Sequence, residues 1–285
     1  MARLFNGDAY AIITTDTEQI KLNAVHNERR LAIKFNIKQT ADEHPNQGEI
    51  TLYNLSEETR NNITSNGLKV DIYAGYEQFK LIGCGTIQNI DNIKNGNEWQ
   101  TIIKFGDGQK PYQTAKFSQS FGSGFDIKKI VSNVAKSLGL AISDVSNVAG
   151  KIKNGLSLDG LSKDIMNELA SQLNFNWSIQ DGVVQITDIG KPTDDTAILI
   201  NSATGLLQYP IITENGVNVR TQLNSDIRPK KLIDVESISA RIASEKLKVT
   251  ANETAPGVYI CNTVQFIGDN FGGGFETVIE AFRYG

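Results

Sequence analysis

The sequence has few of the residues that build catalytic and metal centres. Among 285 residues there are two cysteines and two histidines. Cys84 and Cys261 lie far apart, with no CxxC pair and no flanking histidine, which excludes zinc-ligand spacing and a disulfide scaffold. His26 and His44 have no carboxylate or cysteine at ligand spacing, so we expect loop histidines. The sequence therefore predicts no metal, no cofactor and two buried free thiols.

An excess of positive charge and a long apolar run are also missing. The chain carries 28 Lys and Arg against 32 Asp and Glu, a formal net charge of −4. Proteins that grip nucleic acid normally present a basic face, so we expect any DNA nearby to be tolerated rather than held. No run approaches the length needed to cross a bilayer, and the N-terminus has no apolar h-region. We expect a soluble protein without a cleaved signal or membrane-spanning segment.

What the sequence does contain is a β-rich first part. Residues 8–106 alternate apolar and polar side chains in about seven short runs separated by polar turns. One helix interrupts them: Ser56 is a good N-cap, Glu57 and Glu58 follow in the first turn, and Gly67 is placed to end the helix. This pattern predicts a closed or nearly closed barrel.

The pattern changes at residues 106–108. Helical spacing predicts a helix over residues 125–138, with Ser123 as its cap and Gly139 as its stop. An apolar stripe from Leu158 to Leu173 predicts a second helix. The Asp-Gly pair at 181–182 predicts a two-residue hairpin turn. The middle of the chain is therefore expected to be α+β, and beyond a linker at 191–195 the sequence is β-rich again.

The two β-rich parts resemble each other. Residues 84–88 (CGTIQ) match residues 261–265 (CNTVQ), and residues 99–103 (WQTII) match residues 275–279 (FETVI). Each copy reads as a strand, a polar turn and a strand, with the cysteines in equivalent places. The repeat predicts two copies of one barrel in a single chain.

Two groups of residues invite a catalytic interpretation that their spacing does not support. The glycines at 122–124 precede a helix, but they lack G-x-G-x-x-G and a Lys-Ser/Thr pair, which favours a turn and helix cap over a phosphate cradle. Glu57 and Glu58 are adjacent on a helix and point about 100° apart, so they cannot flank one glycosidic bond. We expect no catalytic residue here.

Aromatic and glycine residues in the strands also have a plain structural interpretation. Trp99, Trp177 and Phe275 could stack on sugar rings, but each lies within an alternating strand, where aromatics usually belong to the core. The glycines at 272–274 are most simply a flexible hairpin tip. The sequence therefore predicts no catalytic, cofactor-binding or metal-binding residue.

Several motifs in order carry a family resemblance. They are ITLYNLS (50–56) with ETR (58–60), VDIYAGY (70–76), a G-x-G-T-I strand (83–87), TGLLQYP (204–210) and VQFIGDN (264–270). With the helical segments of the middle part, this order resembles the baseplate hub proteins of contractile phage tails from residue 8 to the C-terminus. Two positions depart from the family pattern, Ser225 where proline is common and Phe275 where tryptophan is usual.

The resemblance implies a mainly β protein with α+β character, in which two tube-like β-barrel domains (1–107 and 196–285) flank a small α+β domain (108–195). It implies a homotrimer whose six barrels form a pseudo-sixfold ring, joining a hexameric tail tube to a trimeric central spike and contacting other baseplate proteins. DNA would pass through the lumen without specific binding. The implied protein is structural, not an enzyme, and is part of the virion tail baseplate after assembly in the host bacterial cytoplasm.

Other functions stay open at the level of sequence. The same architecture would serve as the hub of a phage-like bacteriocin or of a type VI secretion spike. A tail-associated cell-wall lytic enzyme would need a general acid and an activating base facing a groove. A glycan-binding module would need exposed aromatic side chains.

Overall fold

A computed structural model describes residues 7–23, 30–143, 145, 148–237, 241–242 (backbone only) and 256–284. The protein is mainly β, with 51% strand and 16% helix, which confirms the predicted class. No helix among the described residues is long and apolar enough to span a membrane.

The first part of the chain contains β1 (Asp8–Thr15), β2 (Gln19–Leu22), β3 (Ile33–Thr40), β4 (Gln47–Tyr53), α1 (Glu57–Asn66), β5 (Gly67–Gly75), β6 (Lys80–Asn95) and β7 (Glu98–Gly106). The middle part contains α2 (Gln109–Thr114), β8 (Lys116–Phe121), α3 (Ile127–Ser137), β9 (Ala141–Ile142), β10 (Leu156–Leu161), α4 (Ser162–Leu173), β11 (Phe175–Gln180) and β12 (Val183–Asp188). The last part contains β13 (Ala197–Ile200), β14 (Ile211–Ile212), β15 (Gly216–Gln222), β16 (Leu232–Val235), β17 (Arg241–Ile242), β18 (Gly257–Asp269) and β19 (Phe275–Arg283).

The strands of the first and last parts form one 14-stranded sheet. Its main path is β17-β14-β15-β19-β18-β3-β4-β7-β6-β5-β1-β2, with β16 pairing β18 and β13 pairing β16. The link between the two parts is the antiparallel pair β18·β3, from Thr263 opposite Thr40 to Asp269 opposite Lys34. The predicted closed barrels are not found in the described residues, because β3, which has β4 on one side, pairs on its other side with β18 of the other part instead of with a second strand of its own part.

Strand order supports the internal repeat. In the sheet, the strands of the first part lie in the order β3-β4-β7-β6-β5-β1, and those of the last part lie in the order β14-β15-β19-β18-β16-β13. With β2 and β17 left out, strands that have the same rank along the chain take the same place in the two orders. Cys84 lies on β6 and Cys261 on β18, which hold the same place in the two orders. We call β1 to β7 the first repeat and β13 to β19 the second.

The two repeats differ in register and in one strand direction. The sequence alignment sets Trp99 against Phe275 and Asp91 against Gly268. Phe275 pairs with Gly268, but Trp99 pairs with Lys94, three residues beyond Asp91. β1 is antiparallel to β5, whereas β13 is parallel to β16. The strands correspond, and the residue alignment across the hairpin turn is wrong because the two turns differ in length.

Helix α1 forms as its sequence predicts. The Ser56 hydroxyl accepts the Thr59 N–H at 3.1 Å, and the Gly67 N–H reaches back to the Ile63 carbonyl. Each bond satisfies a terminal backbone group that the helix leaves without an internal partner.

The middle part corrects two expectations. Leu158 and Leu161 lie in β10, paired with β8, and α4 begins only at Ser162. These leucines fit a helical stripe as well as a strand, and the partner strand β8 decides between them. The cap of α3 is Asp126, whose carboxylate accepts the Lys128 N–H at 2.9 Å, while the Ser123 hydroxyl donates to the Lys153 carbonyl.

The predicted hairpin turn is confirmed. Asp181 and Gly182 have φ angles of 51° and 81° and join β11 to β12. Positive φ at both central residues is the geometry that Asp-Gly favours. The sequence pattern of the last part also predicts a strand at 247–250; that segment and His26 lie outside the described residues.

The buried side chains form two clusters. One runs through both repeats and includes Phe35, Phe266 and Phe275, with the Phe35 and Phe275 rings 5.4 Å apart in an edge-to-face contact. The other belongs to the middle part and includes Val134 and Met166. The repeats therefore share one core, and the middle part has a core of its own.

Candidate functional site

The most extensive functional candidate is one face of the sheet. On β3, Ile33, Phe35 and Ile37 are buried while the residues between them are exposed. The residues that pair with Lys34, Asn36 and Lys38 across β4, β7, β6, β18, β19 and β15 lie on the same face as these three, because directly paired residues point to the same side of a sheet. One face carries the shared core, and the other, which we call the polar face, carries the alternate residues.

The polar face has mixed charge with a small negative excess. Its charged residues among those described are Lys34, Lys38, Glu49, Asp91, Glu98, Lys104, Arg220, Asp269, Glu276 and Glu280. Six acids against four bases give a net charge of −2. The basic groups are interspersed with acids rather than arranged in a stripe, so this face does not have the charge pattern of a phosphate-binding surface.

Part of that charge is paired across strands. The Lys104 ammonium lies 3.9 Å from the Glu49 carboxylate, and the Arg220 guanidinium lies 3.3 Å from Glu276. These pairs are partly exposed, and contacts of this kind contribute little to stability. Each pair sets a negative charge beside a positive one and so lowers the local field at the polar face.

A second candidate is an open strand edge. β5 pairs with β6 only as far as Thr86, whereas β7 pairs with it on to Asn95. Within the part of the chain that the structure describes, no strand pairs with residues 88–95 on the side away from β7. We call residues 88–95 the β6 edge. Ile93, in this segment, is 47% exposed.

The backbone direction along the β6 edge follows from the neighbouring strands. The Trp99 carbonyl accepts the Asn54 N–H, so odd-numbered residues of β7 face β4 and even-numbered residues face β6. The partners of those even-numbered residues are the odd-numbered residues of β6. The N–H and C=O groups of Ile90, Asn92 and Lys94 therefore point to the open side.

A buried polar junction holds the middle part against the sheet. The Asn46 side chain donates to the Ile179 carbonyl and to the Gln180 amide oxygen, both at 2.9 Å, and accepts the Thr40 N–H at 2.9 Å. The Gln180 amide nitrogen donates to the Thr40 carbonyl at 2.6 Å. Because both side chains are buried, each lost bond would leave a polar atom away from water.

Asp107, the residue directly after β7, completes the junction. Its carboxylate accepts the Gly182 N–H at 2.9 Å, next to the hairpin turn. Burial raises the pKa of the Asp107 carboxyl to about 6, although the Gly182 bond opposes the shift. Nothing in the sequence pattern indicated this role, except that Asp107 stands where the strand pattern breaks.

Cys84, Asp107 and Asp181 come within 4.8 Å of one another, the one such group among the described residues that could hold a metal ion. Asp107 already accepts the Gly182 N–H, and the Asp181 carboxylate lies 3.4 Å from the Arg228 guanidinium. Burial raises the pKa of the Cys84 thiol and keeps it neutral. With a cation and an N–H already in place, the group fits a structural link better than a metal site.

The residues considered for catalysis lie apart. Glu57 and Glu58 are exposed at the start of α1, and His44 is exposed beside Glu43. The glycines at 122–124 belong to the turn before α3. These side chains do not converge on a common site.

The aromatic residues behave largely as core. Trp177 is buried and its indole N–H donates to Asn167 at 2.8 Å, and Phe275 is buried in the shared core. Trp99 is half-buried, with the Arg60 guanidinium 4.0 Å from its ring centroid. The glycines at 272–274 lie in the turn between β18 and β19. Trp99, Trp177 and Phe275 therefore do not form a row of free rings for a sugar chain.

Comparison with known families and structures gives consistent results. The family model described as baseplate hub gp41 matches residues 12–240. No curated protein sequence matches the chain.

Three solved structures share its fold. The 43 kDa tail protein of prophage MuSo2 from Shewanella oneidensis superposes with a TM-score of 0.62 at 8% identity, covering 97% of each chain. A tail protein from Neisseria meningitidis MC58 gives 0.61 at 7% identity, covering 96% of each chain. The E. coli c3393 protein, a component of the type VI secretion system, gives 0.55 at 10% identity, covering 91% of this chain and 76% of its own. At these identities the likeness concerns the fold alone.

Proposed function

The chain belongs to the baseplate hub gp41 family, and on that basis we propose that it is the structural hub of a contractile phage tail and not an enzyme. The proposed location is the tail baseplate of the virion, after assembly in the cytoplasm of the host bacterium. Its proposed partners are the tail tube protein, the central spike protein and other baseplate proteins.

The proposed mechanism is a change of symmetry. A trimeric spike cannot dock onto a hexameric tube through matched surfaces unless an adaptor presents three-fold contacts at one end and six-fold contacts at the other. A homotrimer in which each chain contributes two similar units presents six units in a ring. In this proposal, residues 1–107 and 196–285 supply the two units, and residues 108–195 form an accessory domain.

The single observation that carries the proposal is the repeated strand order. The strands of the two parts take corresponding places in the sheet, in the orders β3-β4-β7-β6-β5-β1 and β14-β15-β19-β18-β16-β13. Two similar units on one chain are what a conversion from three to six requires. The shared core fixes the two units against each other before any assembly takes place.

We further propose that the polar face lines the lumen through which DNA passes. Its charged residues sum to −2, and the two signs are interspersed. A lining that lacks a basic stripe releases few counterions from DNA and so gains little binding free energy. The lumen would thus guide the nucleic acid without holding it.

Native mass spectrometry of the full-length chain, alone and with the tail tube protein, tests the proposal. We expect a trimer, and a complex of three hub chains with six tube chains. Only monomers and dimers under both conditions would contradict it.

A hub of a phage-like bacteriocin or of a type VI secretion spike is the second candidate, favoured by the shared fold with the E. coli secretion-system component. Neighbouring genes separate these possibilities. Sheath, tube and capsid genes together indicate a phage, and sheath and tube genes without capsid genes indicate a bacteriocin. A zymogram on peptidoglycan tests the remaining possibility of a lytic enzyme, for which we expect no clearing.

A further inference from the structure

We propose that a cleft between the middle part of the chain and the sheet binds the C-terminal end of a short peptide. In this proposal the peptide's carboxylate binds Lys230, and a cationic side chain of the same peptide lies beside Asp42 and Glu43. The cleft has a volume of about 510 Å³, which lies within the size range of pockets for small ligands. This inference goes beyond the proposed hub function and does not depend on it.

All three parts of the chain line this cleft, which we call the junction cleft. The connection between β3 and β4 contributes Asp42 and Glu43, and α4 and β11 contribute side chains from the middle part. The second repeat contributes Lys230 and Asn262. Clefts between structural units are preferred places for ligands, because side chains from separate elements converge there.

Lys230 is held in an uncommon backbone conformation. Its φ angle is 65°, in the left-handed region that residues other than glycine seldom adopt. Two hydrogen bonds fix this conformation: the Lys230 N–H donates to the Cys261 carbonyl at 2.8 Å, and the Lys230 carbonyl accepts the Thr193 N–H at 2.9 Å. Strained residues of this kind persist where their surroundings hold them, and they cluster at ligand-binding sites.

The Lys230 ammonium group is half-buried and has no ion pair or hydrogen bond with the residues that the structure describes. Burial lowers the pKa of this ammonium, and the Asp42 carboxylate, which lines the same cleft, opposes the shift. A charge that is partly removed from water without a partner is costly. A bound carboxylate would supply the missing partner through a charge-assisted hydrogen bond.

Carboxamide side chains add donors to the cleft. The Asn167 side-chain oxygen accepts the Trp177 indole N–H at 2.8 Å, which orients this amide and leaves its NH₂ group as a donor. Asn262 is the extra residue of a β-bulge, since the register of β18 against β19 shifts between Cys261 and Thr263. A bulge re-aims the side chain of its extra residue. Both amides line the cleft, and such donors suit a carboxylate and the peptide group next to it.

The charges of the cleft favour a ligand that carries both signs. Asp42 and Glu43 are two acids against the one base Lys230, so the lining has a net charge of −1. A dianion such as phosphate would gain one attraction and meet two repulsions, whereas a peptide end with a carboxylate and a basic side chain meets opposite charge for each group. Ile189 and Phe282 also line the cleft, 53% and 45% exposed, and offer apolar surface to the last side chain of the peptide.

Isothermal titration calorimetry of the full-length chain with four probes tests this assignment. The probes are the tripeptide Ala-Lys-Leu, the same tripeptide with a C-terminal amide, the tripeptide Ala-Glu-Leu, and inorganic phosphate. We expect Ala-Lys-Leu to bind, and the amide and Ala-Glu-Leu to bind about tenfold more weakly, since each loses one charge-assisted contact. Phosphate should also bind more weakly than Ala-Lys-Leu.

The variant Lys230→Met removes the ammonium group and keeps an unbranched side chain. Its affinity for Ala-Lys-Leu should fall about tenfold, to that of the amide, and its affinity for the amide should stay as in the wild type. Lys129→Met, at an exposed lysine on α3, is the matched control and should leave all four titrations unchanged. Circular dichroism and urea denaturation check that both variants are folded.

Equal affinities of the wild-type chain for Ala-Lys-Leu and its amide would overturn the carboxylate contact, and this comparison needs no variant. Phosphate binding as tight as that of Ala-Lys-Leu, or no binding of Ala-Lys-Leu at millimolar concentration, would overturn the assignment of a peptide ligand. If folded Lys230→Met weakens the acid and the amide equally, Lys230 only supports the structure of the cleft, and the proposal is wrong.

Discussion

Replacing Asp107 by asparagine should change how stability depends on pH. Asp107 is 4% exposed, and burial raises the pKa of its carboxyl from 3.8 to about 6. The folded protein therefore keeps the Asp107 proton over a pH range in which the unfolded chain has lost it. By linkage, the free energy of unfolding must fall as pH rises through this window and level off above about pH 6.

The size of the effect follows from the shift. A shift of about two pKa units corresponds to about 3 kcal/mol in all, at 1.36 kcal/mol for each unit, and about 2.5 kcal/mol of it falls between pH 4 and pH 7, because the unfolded carboxyl is already partly ionised at pH 4. Asp107→Asn keeps an oxygen that can accept the Gly182 N–H and removes the titrating group. The free energy of unfolding of the variant, minus that of the wild type, should therefore rise by about 2.5 kcal/mol over this range.

Urea denaturation at a series of pH values measures that difference. Asp159→Asn, at an exposed carboxyl on β10, is the matched control and should leave the wild-type profile in place. A difference between Asp107→Asn and wild type that is the same at pH 4 and pH 7 would contradict this prediction, since Asp107 would then not hold its proton more tightly in the folded state.

Three further predictions follow from the core, the junction and the thiols. Phe266→Ala, in the core shared by both repeats, should lower the free energy of unfolding by about 3–5 kcal/mol in urea denaturation; a loss below about 1 kcal/mol would contradict a shared core. Asn46→Ala should cost about 2–3 kcal/mol and speed proteolysis at the junction, because it leaves buried groups without hydrogen bonds, whereas the exposed Asn66→Ala should do neither. Iodoacetamide should label neither cysteine in the folded chain and both in urea, since burial raises the thiol pKa of Cys84 and, to about 12, that of Cys261; rapid labelling of the native protein would contradict this.

Local features of the fold could be predicted from the sequence. Ser56 and Gly67 define the ends of α1 through bonds to residues three or four positions away. The Asp181-Gly182 turn follows from the φ angles that these two residues tolerate. In each case the deciding interaction lies within a few residues, where the pattern can be read.

Features decided by distant strands could not be predicted. Leu158 and Leu161 satisfy both a helical and a strand pattern, and only β8, some forty residues earlier in the chain, makes them a strand. The β18·β3 pairing joins residues more than 220 positions apart, from Thr263 with Thr40 onward, and it turns two expected barrels into one sheet. No periodicity within either strand carries that information.

The candidate site, too, could be predicted only where nearby residues determine it. Alternation along each strand predicted that one face would be polar, but the joining of seven strands into one polar surface depends on the sheet order. The junction bond between Asn46 and Gln180 links positions 134 residues apart. The sequence identified Asp107 only as a residue at which the strand pattern of the first part ends.

In the proposed assembly, one chain supplies two similar units and three chains close a ring of six. Electron microscopy of the purified hub bound to its tail tube protein tests this most directly, through averaged views along the tube axis. We expect six similar densities around an open lumen, in register with the six tube subunits. A closed centre, or three isolated densities with no second set between them, would contradict the account.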